Sequence, residues 1–421
     1  MTGIFGNRWW VVFASICGLL VGTGAVHIFT FGVFLKPVSE ELGIGRGELS
    51  SGLILTSTLN ALGCLPLGYL LDRYGVRRVM MPGIILYAIG IMGWSLLGPT
   101  ATLIFLTFSF AGLFGAIGSP VAYGAVLTLW FDRRRGLAIG IAMAGVGLGV
   151  AIIPQLAAFF IRSFGWRMAY VALGFTVIIL AWLPVALFVR EPTTKDVSRQ
   201  VDIAPVDTNL PGLTVREAVL HSWRFWALTV AFFLSIVAIN GTLTHTVALL
   251  TDRGIPLQAA TAALSVSGIA LLAGRIVSGW CLDRYHGPLV ATCFFVIPMA
   301  GIGLLAADLG LTVSLAGAVL CGLGVGAEVD IMAFFVSRYF GLKAYGRIYG
   351  AMFAAFSFAN GIGPTLAGAS FDRYHSYGPA FILFEGLLVV TCLLIAPLGP
   401  YPFPRRGHAV PAMGGAQKVP A

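Results

Sequence analysis

The chain of 421 residues is 58% hydrophobic and only 10% charged, whereas an average soluble domain is about a quarter charged. These values exclude a soluble enzyme, a disordered chain and a nucleic-acid-binding domain. The net charge of +9 is spread over short gaps between apolar segments and does not form one basic face. The six cysteines have no paired metal-ligand spacing, so no metal or other cofactor is expected.

Twelve apolar segments are each long enough to cross a bilayer as a helix, which takes about 20 residues. The first follows a single arginine and has no small-residue cleavage site after it, so we interpret it as a retained span. The pattern predicts an all-α membrane protein with twelve transmembrane helices. The predicted spans are 9–35, 49–71, 79–98, 102–130, 136–161, 168–189, 225–250, 257–282, 289–307, 311–337, 346–370 and 378–398.

The longest polar gap divides these spans into two groups of six. Residues 1–189 are predicted to form an N-terminal six-helix bundle, 190–224 a cytoplasmic linker and 225–398 a C-terminal six-helix bundle. Residues 399–421 are rich in Pro and Gly, and we expect them to be a cytoplasmic tail without fixed structure.

The positive charges predict the orientation. With the N terminus inside, 19 of the 26 Lys and Arg residues lie in inside loops and termini, six lie in outside loops, and Arg275 lies within a span. Cytoplasmic loops carry the excess of positive charge, so both termini are predicted to be cytoplasmic. We expect a monomeric, multi-pass protein of a bacterial inner membrane.

The two halves repeat in sequence. Gly68–Tyr74 after the second span has a counterpart in Gly279–Tyr285 after the eighth, with a constant offset of 211, which is typical of parallel repeats in transporters. The longer stretch Gly68–Arg78 resembles the signature loop between helices two and three of the major facilitator superfamily. The resemblance covers about 10–400 and implies two pseudo-symmetric six-helix bundles around a central cavity, working by alternating access.

Further stretches resemble a subgroup of that superfamily. These are Trp130–Ala138, Gly274–Gly279, Ser337–Gly341 and Gly346–Gly350. Together they are similar to the monocarboxylate porter group and the neighbouring oxalate/formate antiporter group. The resemblance implies a small organic acid as substrate.

Arg275 is the most informative residue, because an arginine in the middle of a span costs at least about 2.5–3.5 kcal/mol on insertion scales. It must therefore face a cavity or a partner. Its planar fork can hold a carboxylate at two points, and the resemblance implies the same role. The alternative is an internal ion pair. Span eleven has no Lys or Arg between Ile348 and Ser370, and this single cation favours a monoanion over a dianion. Mammalian porters carry an Asp where this chain has Leu271, so their coupling scheme does not transfer.

Glu328 and Asp330 lie within span ten. Two residues apart on a helix, they point to different sides. A buried carboxyl without a partner can take up a proton, so one of them is predicted to couple transport to protons, with Glu328 favoured to face the central region. The alternative is a structural pair with Arg275 or Arg338.

Four further side chains are candidates for substrate or proton contact. His27 in span one and His245 in span seven occupy equivalent places in the two halves, and histidine titrates near neutral pH. Asn240 is a polar candidate on span seven. Tyr123 in span four could donate a hydrogen bond to a carboxylate, and the family resemblance supports it. The alternative for each histidine is an ordinary hydrogen-bonded helix residue.

Charged residues at the cytoplasmic ends of the spans are predicted to form a gate, as the resemblance implies. Fixed charges there could pair across the bundles when the outside is open and separate when the inside opens. The alternative is that they only orient the chain. The candidates are Asp72, Arg73, Arg77, Arg78, Asp283 and Arg284.

The sequence therefore predicts a secondary transporter, not an enzyme, that moves a small organic monocarboxylate with proton symport. Its partners would be the carboxylate, protons and membrane lipid. Alternatives are an organic-anion exchanger, an uptake porter for an aromatic or lactone-derived acid, a multidrug efflux protein or a non-transporting membrane sensor. No Gly-Lys-Ser/Thr phosphate loop is present, so transport driven by ATP is unsupported.

Overall fold

The computed structural model describes residues 8–131, 135–190 and 211–403, apart from the side chains at 68, 72, 135 and 136. In these ranges the backbone is helical and has no strand beyond one isolated bridge between Gly212 and Gly341. The prediction of an all-α protein is confirmed. The helices are α1 Trp9–Leu20, α2 Phe31–Leu42, α3 Arg46–Tyr74, α4 Val76–Gly93, α5 Ala101–Gly115, α6 Pro120–Trp130, α7 Arg135–Val177, α8 Leu183–Phe188, α9 Val215–His221, α10 Trp223–Asp252, α11 Leu257–Arg284, α12 Gly287–Ala306, α13 Leu311–Phe335, α14 Tyr345–Tyr374 and α15 Gly378–Ile395.

Ten segments of the described chain are long and apolar enough to cross a membrane, against the twelve predicted. Two features account for the difference. The segment Leu137–Phe188 is 52 residues long and is broken at Gly165, whose positive φ of 76° suits glycine because it has no Cβ. Helix α14 has 30 residues and is not among the ten. It carries Arg347, Asp372 and Arg373 near its ends.

The described residues 8–190 and 211–403 are here called the first and second halves. Helix α3 packs along α14, and α7 packs along α11. Glycines allow the backbones to approach closely. A Cβ on Gly361 would lie 2.4 Å from the Cα of Ile54, and a Cβ on Gly268 would lie 2.5 Å from the backbone nitrogen of Ala151. Helices in lipid commonly associate through such small residues.

The contacts between α7 and α11 follow the helices from one end towards the middle. Arg162 donates to Gln258 at 3.0 Å, and Gln155 accepts from Thr261 at 3.0 Å. The position of Gly147 lies against the Leu272 side chain. The equivalent contacts of α3 with α14 begin at Arg46, so we call this end of the molecule the Arg46 end and the opposite one the Asp283 end.

Residues 399–403, predicted to be part of a tail without fixed structure, pack on the second half. The Tyr401 hydroxyl accepts a hydrogen bond from the backbone N–H of Gly287 at 2.6 Å, and its ring stacks on His286. The Tyr339 hydroxyl donates to the carbonyl of Gly399 at 2.8 Å. An aromatic anchor therefore fixes the start of the tail, while residues 404–421 lie outside the described chain.

Replacing Gly268 by alanine should push the two halves apart at the Arg46 end. The new methyl group would meet the backbone of Ala151, and overpacking costs about 1–3 kcal/mol. Spin labels at Phe164 and Pro256, both exposed at this end, should report a longer distance by electron paramagnetic resonance. Gly279→Ala on the same helix is the control, because a Cβ there meets nothing within 4 Å. An equal response to both substitutions would contradict the packing argument.

Candidate functional site

Arg275 on α11 and Asp330 on α13 form an ion pair in the interior of the second half. The Nε of Arg275 and Oδ2 of Asp330 are 3.6 Å apart, and their side chains are 22% and 40% exposed. Arg275 lies three residues beyond Leu272, where α11 touches α7. A charge directed at lipid would be costly, so the exposed space at this ion pair is part of the molecule's interior.

The geometry of this ion pair leaves the fork of the guanidinium available. At 3.6 Å the contact is longer than a hydrogen bond, and the Nε has no hydrogen-bond partner. Among the described residues, Asp330 is the only acidic side chain within ion-pair distance of Arg275. Tyr349 on α14 lies close enough to interact electrostatically with both groups. Residues of three helices, α11, α13 and α14, therefore lie near one cation whose two terminal nitrogens can donate hydrogen bonds to a carboxylate.

Glu328 lies on a different side of α13 from Asp330, as their spacing predicted. Its side chain is fully buried, with 0% exposure, and within the described part of the chain neither carboxyl oxygen has a hydrogen-bond partner. It lies beside Ser235 of α10, whose hydroxyl donates to the Phe232 carbonyl at 3.0 Å. Asp330 is therefore the carboxylate beside Arg275, which matches the structural pair given above as the alternative. The proton-coupling role of Glu328 and Asp330 stays a prediction.

His245 is held by partners on both ring nitrogens, far along α10 towards the Arg46 end. Its Nε2 is 2.8 Å from the carbonyl oxygen of Pro364 and 3.3 Å from the Ser50 hydroxyl, and its Nδ1 is 3.2 Å from the Tyr377 hydroxyl. Because a carbonyl oxygen can only accept a hydrogen bond, we assign the ring proton to Nε2. Nδ1 then accepts a hydrogen bond from the Tyr377 hydroxyl. The structure thus places His245 in a fixed hydrogen-bond chain, away from the contacts of Arg275.

The other three candidates also lie within helix packing. The Nδ2 of Asn240 donates to Oδ1 of Asn360 at 2.9 Å, which joins α10 to α14. His27 is 1% exposed, its ring nitrogens have no partner, and it packs on Tyr87 and Trp94. Tyr123 is 1% exposed, and its hydroxyl also has no hydrogen-bond partner. The structure does not bring these side chains to Arg275, and their substrate contact stays a prediction.

A network of charges at the Arg46 end fastens the two halves together. Arg46 of the first half binds Asp252 of the second at both guanidinium nitrogens, at 2.5 and 2.9 Å. Lys36 of the first half binds the same carboxylate at 2.9 Å. Asp372 of the second half accepts from the backbone N–H groups of Arg46 and Gly47 at 2.8 and 2.7 Å.

The same guanidinium connects this network to His245. Arg46 donates to the Tyr377 hydroxyl at 2.7 Å and lies over the Phe371 ring at 3.7 Å. Its side chain is only 7% exposed. Charge-assisted, bidentate hydrogen bonds of this kind are the strong ones. We call Lys36, Arg46, Asp252, Asp372 and Tyr377 the Arg46 network.

Sequence reasoning missed the Arg46 network, since it treated Lys36 and Arg46 only as loop cations. One signal was available. Asp252 and Asp372 are acids at the ends of spans, where a carboxylate does nothing for orientation. No local pattern could have paired them, because Arg46 and Asp252 are separated by 206 positions.

Another acid at this end, Glu41, makes its contacts within the first half. It accepts from the Trp166 indole N–H at 2.5 Å and forms an ion pair with Arg167. The hydrogen bond from Arg167, together with that from Trp166, holds the pKa of Glu41 below its usual range. This cluster braces one half and does not join the two.

The predicted gate residues at the Asp283 end are largely exposed. Arg73 contacts Tyr69 and Tyr74, and Arg284 lies over the Trp280 ring at 4.2 Å, so these contacts stay within one half. Arg77, Arg78 and Asp283 are exposed. The side chain of Asp72 lies outside the described part of the molecule. The gate role of all six stays a prediction.

Comparison with known proteins identifies the family. The sequence model of the Major Facilitator Superfamily matches residues 14–364. The chain belongs to this superfamily. The structure of a D-xylose–proton symporter superposes with a TM-score of 0.71 at 13% identity, covering 93% of this chain and 98% of the other. A bacterial homologue of the lysosomal transporter Spinster in an inward-facing state gives a TM-score of 0.64 at 16% identity, with 92% and 94% covered. These likenesses show the superfamily fold.

Curated relatives agree with the predicted subgroup. The oxalate:formate antiporter of Oxalobacter formigenes is 25% identical over 422 residues, covering 98% of this chain and 95% of its own. Monocarboxylate transporter 13 of Bos taurus is 27% identical over 309 residues, covering 70% and 66%. The family recognised from Gly68–Arg78 is thereby confirmed, and the chain is an integral membrane transporter with several spans.

Replacing Arg46 by glutamine should loosen the Arg46 end. Asp252 would keep Lys36 but lose its bidentate partner, and hydrogen bonds to charged groups contribute about 1.5–3 kcal/mol. The equilibrium should shift by about tenfold or more towards a form open at this end. Spin labels at Phe164 and Pro256 should then show a longer distance in the purified protein.

Arg253→Gln is the matched control. Arg253 forms an ion pair with Asp308 at 3.0 Å, also at the Arg46 end, but both residues belong to the second half. Its loss should leave the label distance unchanged. If Arg46→Gln leaves the distance unchanged as well, the network does not hold the two halves together.

Proposed function

We propose that this protein is a secondary transporter that moves a small organic monocarboxylate together with a proton. The observation that carries the proposal is Arg275, a cation in the interior of a membrane protein with Asp330 as its acidic partner at 3.6 Å. A permanent cation that is partly exposed in such an interior is suited to bind an anion. The fork of a guanidinium matches a carboxylate in geometry and charge.

The number of cations supports a monoanion as the substrate. Helix α14 has no Lys or Arg from Ile348 to Ser370, so Arg275 has no second cation opposite it on that helix. A dianion would leave one carboxylate without a counter-charge. The names of two relatives, an oxalate:formate antiporter and a monocarboxylate transporter, support carboxylates as the substrate class.

Asp330 supplies a route for coupling the substrate to a proton. Its carboxylate and the substrate's carboxylate would compete for Arg275. A proton on Asp330 removes its charge and releases the guanidinium, so that substrate and proton bind together. When both leave, the ion pair forms again. The empty protein can then change its access from one side of the membrane to the other without an unpaired charge in the site. Glu328, buried without a hydrogen-bond partner, is the second proton candidate.

Alternating access requires that the two ends of the molecule open in turn. The Arg46 network and the glycine contacts fasten the Arg46 end in this conformation. In the orientation predicted from positive charges, that end faces outside, and Arg275 would be accessible from the cytoplasm. Release of Arg46 from Asp252 would open the other access route.

Anion exchange is the second candidate, because one relative with 95% coverage is named an antiporter. Exchange needs no proton on Asp330, since the leaving anion is replaced directly at Arg275 by the arriving one. Stimulation of uptake by internal anion, independent of pH, would favour exchange over symport.

Arg275 variants test the carboxylate site. In liposomes containing a trapped pH dye, we expect protein-dependent acidification with lactate or pyruvate. Arg275→Lys keeps the charge but loses the fork, and uptake should fall at least about tenfold. Arg275→Ala should abolish it. Arg373→Ala, an exposed cation at the Arg46 end, is the control and should transport normally. Normal uptake by Arg275→Ala would refute the proposed site.

Asp330→Asn tests the coupling. The amide cannot ionise and so mimics the protonated acid, and it should leave Arg275 free for the anion. We expect exchange of labelled for unlabelled monocarboxylate to persist, while accumulation driven by a pH gradient is lost. Glu328→Gln is the comparison variant, and a loss of gradient-driven accumulation only there would move the proton site to Glu328.

A further inference from the structure

A column of aromatic rings runs along α14 beside Arg275. Its members are Tyr345, Tyr349, Phe353 and Phe356, which recur at three or four residues and therefore lie on one stripe of the helix. Successive ring centroids are 6.0, 5.8 and 5.7 Å apart, with interplanar angles of 10°, 19° and 26°. The rings are thus nearly parallel and form one continuous aromatic surface.

One ring of this column, Tyr349, lies near the ion pair. Tyr349 is close enough to interact electrostatically with both Arg275 and Asp330. Tyr345, Tyr349 and Phe353 are partly exposed, while Phe356, deepest in the helix, is only 6% exposed. The surface thus leads from one end of α14 to the site of the single cation.

The column ends where the two halves close. Asn360, one turn beyond Phe356, accepts a hydrogen bond from Asn240. The next residue, Gly361, packs directly on Ile54 of the first half. The aromatic rings therefore occupy the stretch of α14 before the contact between halves. A ligand held by Arg275 would have its non-carboxylate part beside Tyr349 and Phe353.

We propose that this aromatic surface selects acids with a flat, aromatic body, so that the substrate is an aryl monocarboxylate. This inference rests on the proposed carboxylate site at Arg275 and names the substrate class of that site. The carboxylate would lie on the guanidinium and the ring against Tyr349 and Phe353. Two aromatic rings in contact attract each other more strongly than their buried area alone accounts for. An aliphatic ring of the same size does not provide this additional attraction.

Two acids of similar size separate the aromatic effect from simple hydrophobicity. Binding of radiolabelled benzoate to the purified, detergent-solubilised protein would be measured by scintillation proximity, with cyclohexanecarboxylate and propanoate as competitors. This readout avoids the leak of neutral acids through liposomes. Benzoate should bind about two- to tenfold more tightly than cyclohexanecarboxylate, and propanoate more weakly than either.

Phe353→Leu should reduce that preference several-fold while leaving the affinity for propanoate unchanged, and Tyr349→Leu should reduce the preference as well. Unchanged propanoate binding shows that the variant is folded and that its Arg275 site is intact. Phe358→Leu is the matched control, because this ring is on the same helix but outside the column and is 41% exposed. It should bind all three acids like the unaltered protein.

The outcomes separate this inference from the proposed function. Equal affinity of the unaltered protein for benzoate and cyclohexanecarboxylate would overturn the aromatic preference but keep the carboxylate site. Equal weakening of all three acids in the leucine variants would also overturn it, because the rings would then be structural. If none of the acids binds, both the carboxylate site and the aromatic preference fall.

Discussion

A guanidinium in the interior of a membrane protein needs either an acidic partner or polar surroundings. The arrangement of helices around Arg275 follows from that requirement. An arginine side chain carries its charge in proteins, so the charge has to be balanced by a partner or by polar surroundings. Three helices meet around it, and they bring Asp330 and Tyr349 to the same place. The same requirement suits the site to the anion binding proposed above, because an anionic ligand could replace the internal carboxylate.

The two halves are fastened at the Arg46 end by two different kinds of contact. Glycine-mediated backbone contacts, as between Gly268 and Ala151, depend on shape and hold the helices close over several turns. The bidentate pair of Arg46 with Asp252 depends on charge and is confined to one point. Packing contacts allow halves to rock as rigid bodies, whereas the ion pair has to be made or broken as a unit. The combination suits a protein with two discrete states.

Several polar side chains that are predicted to contact the substrate take part in the helix packing. His245 connects α10 to Pro364 and Tyr377, and Asn240 connects it to Asn360. In an apolar environment a polar side chain without a partner is costly, so helices that carry one tend to pair it with a neighbour. Polarity within a span is therefore a weaker sign of a binding site than a charge, which is why the proposed site is built on Arg275.

The sequence by itself determined the all-α architecture and the superfamily, and it singled out Arg275 as a charge within a span. Hydropathy reports local composition, the Gly68–Arg78 motif is contiguous, and a charge within an apolar span is visible without a fold. Only the tertiary structure decided that Asp330 rather than Glu328 faces Arg275, that the aromatic stripe of α14 lies beside it, and that Arg46 binds Asp252. The physical reason is that these pairings depend on how each helix is rotated and on contacts between residues distant in sequence, and neither is encoded in local periodicity.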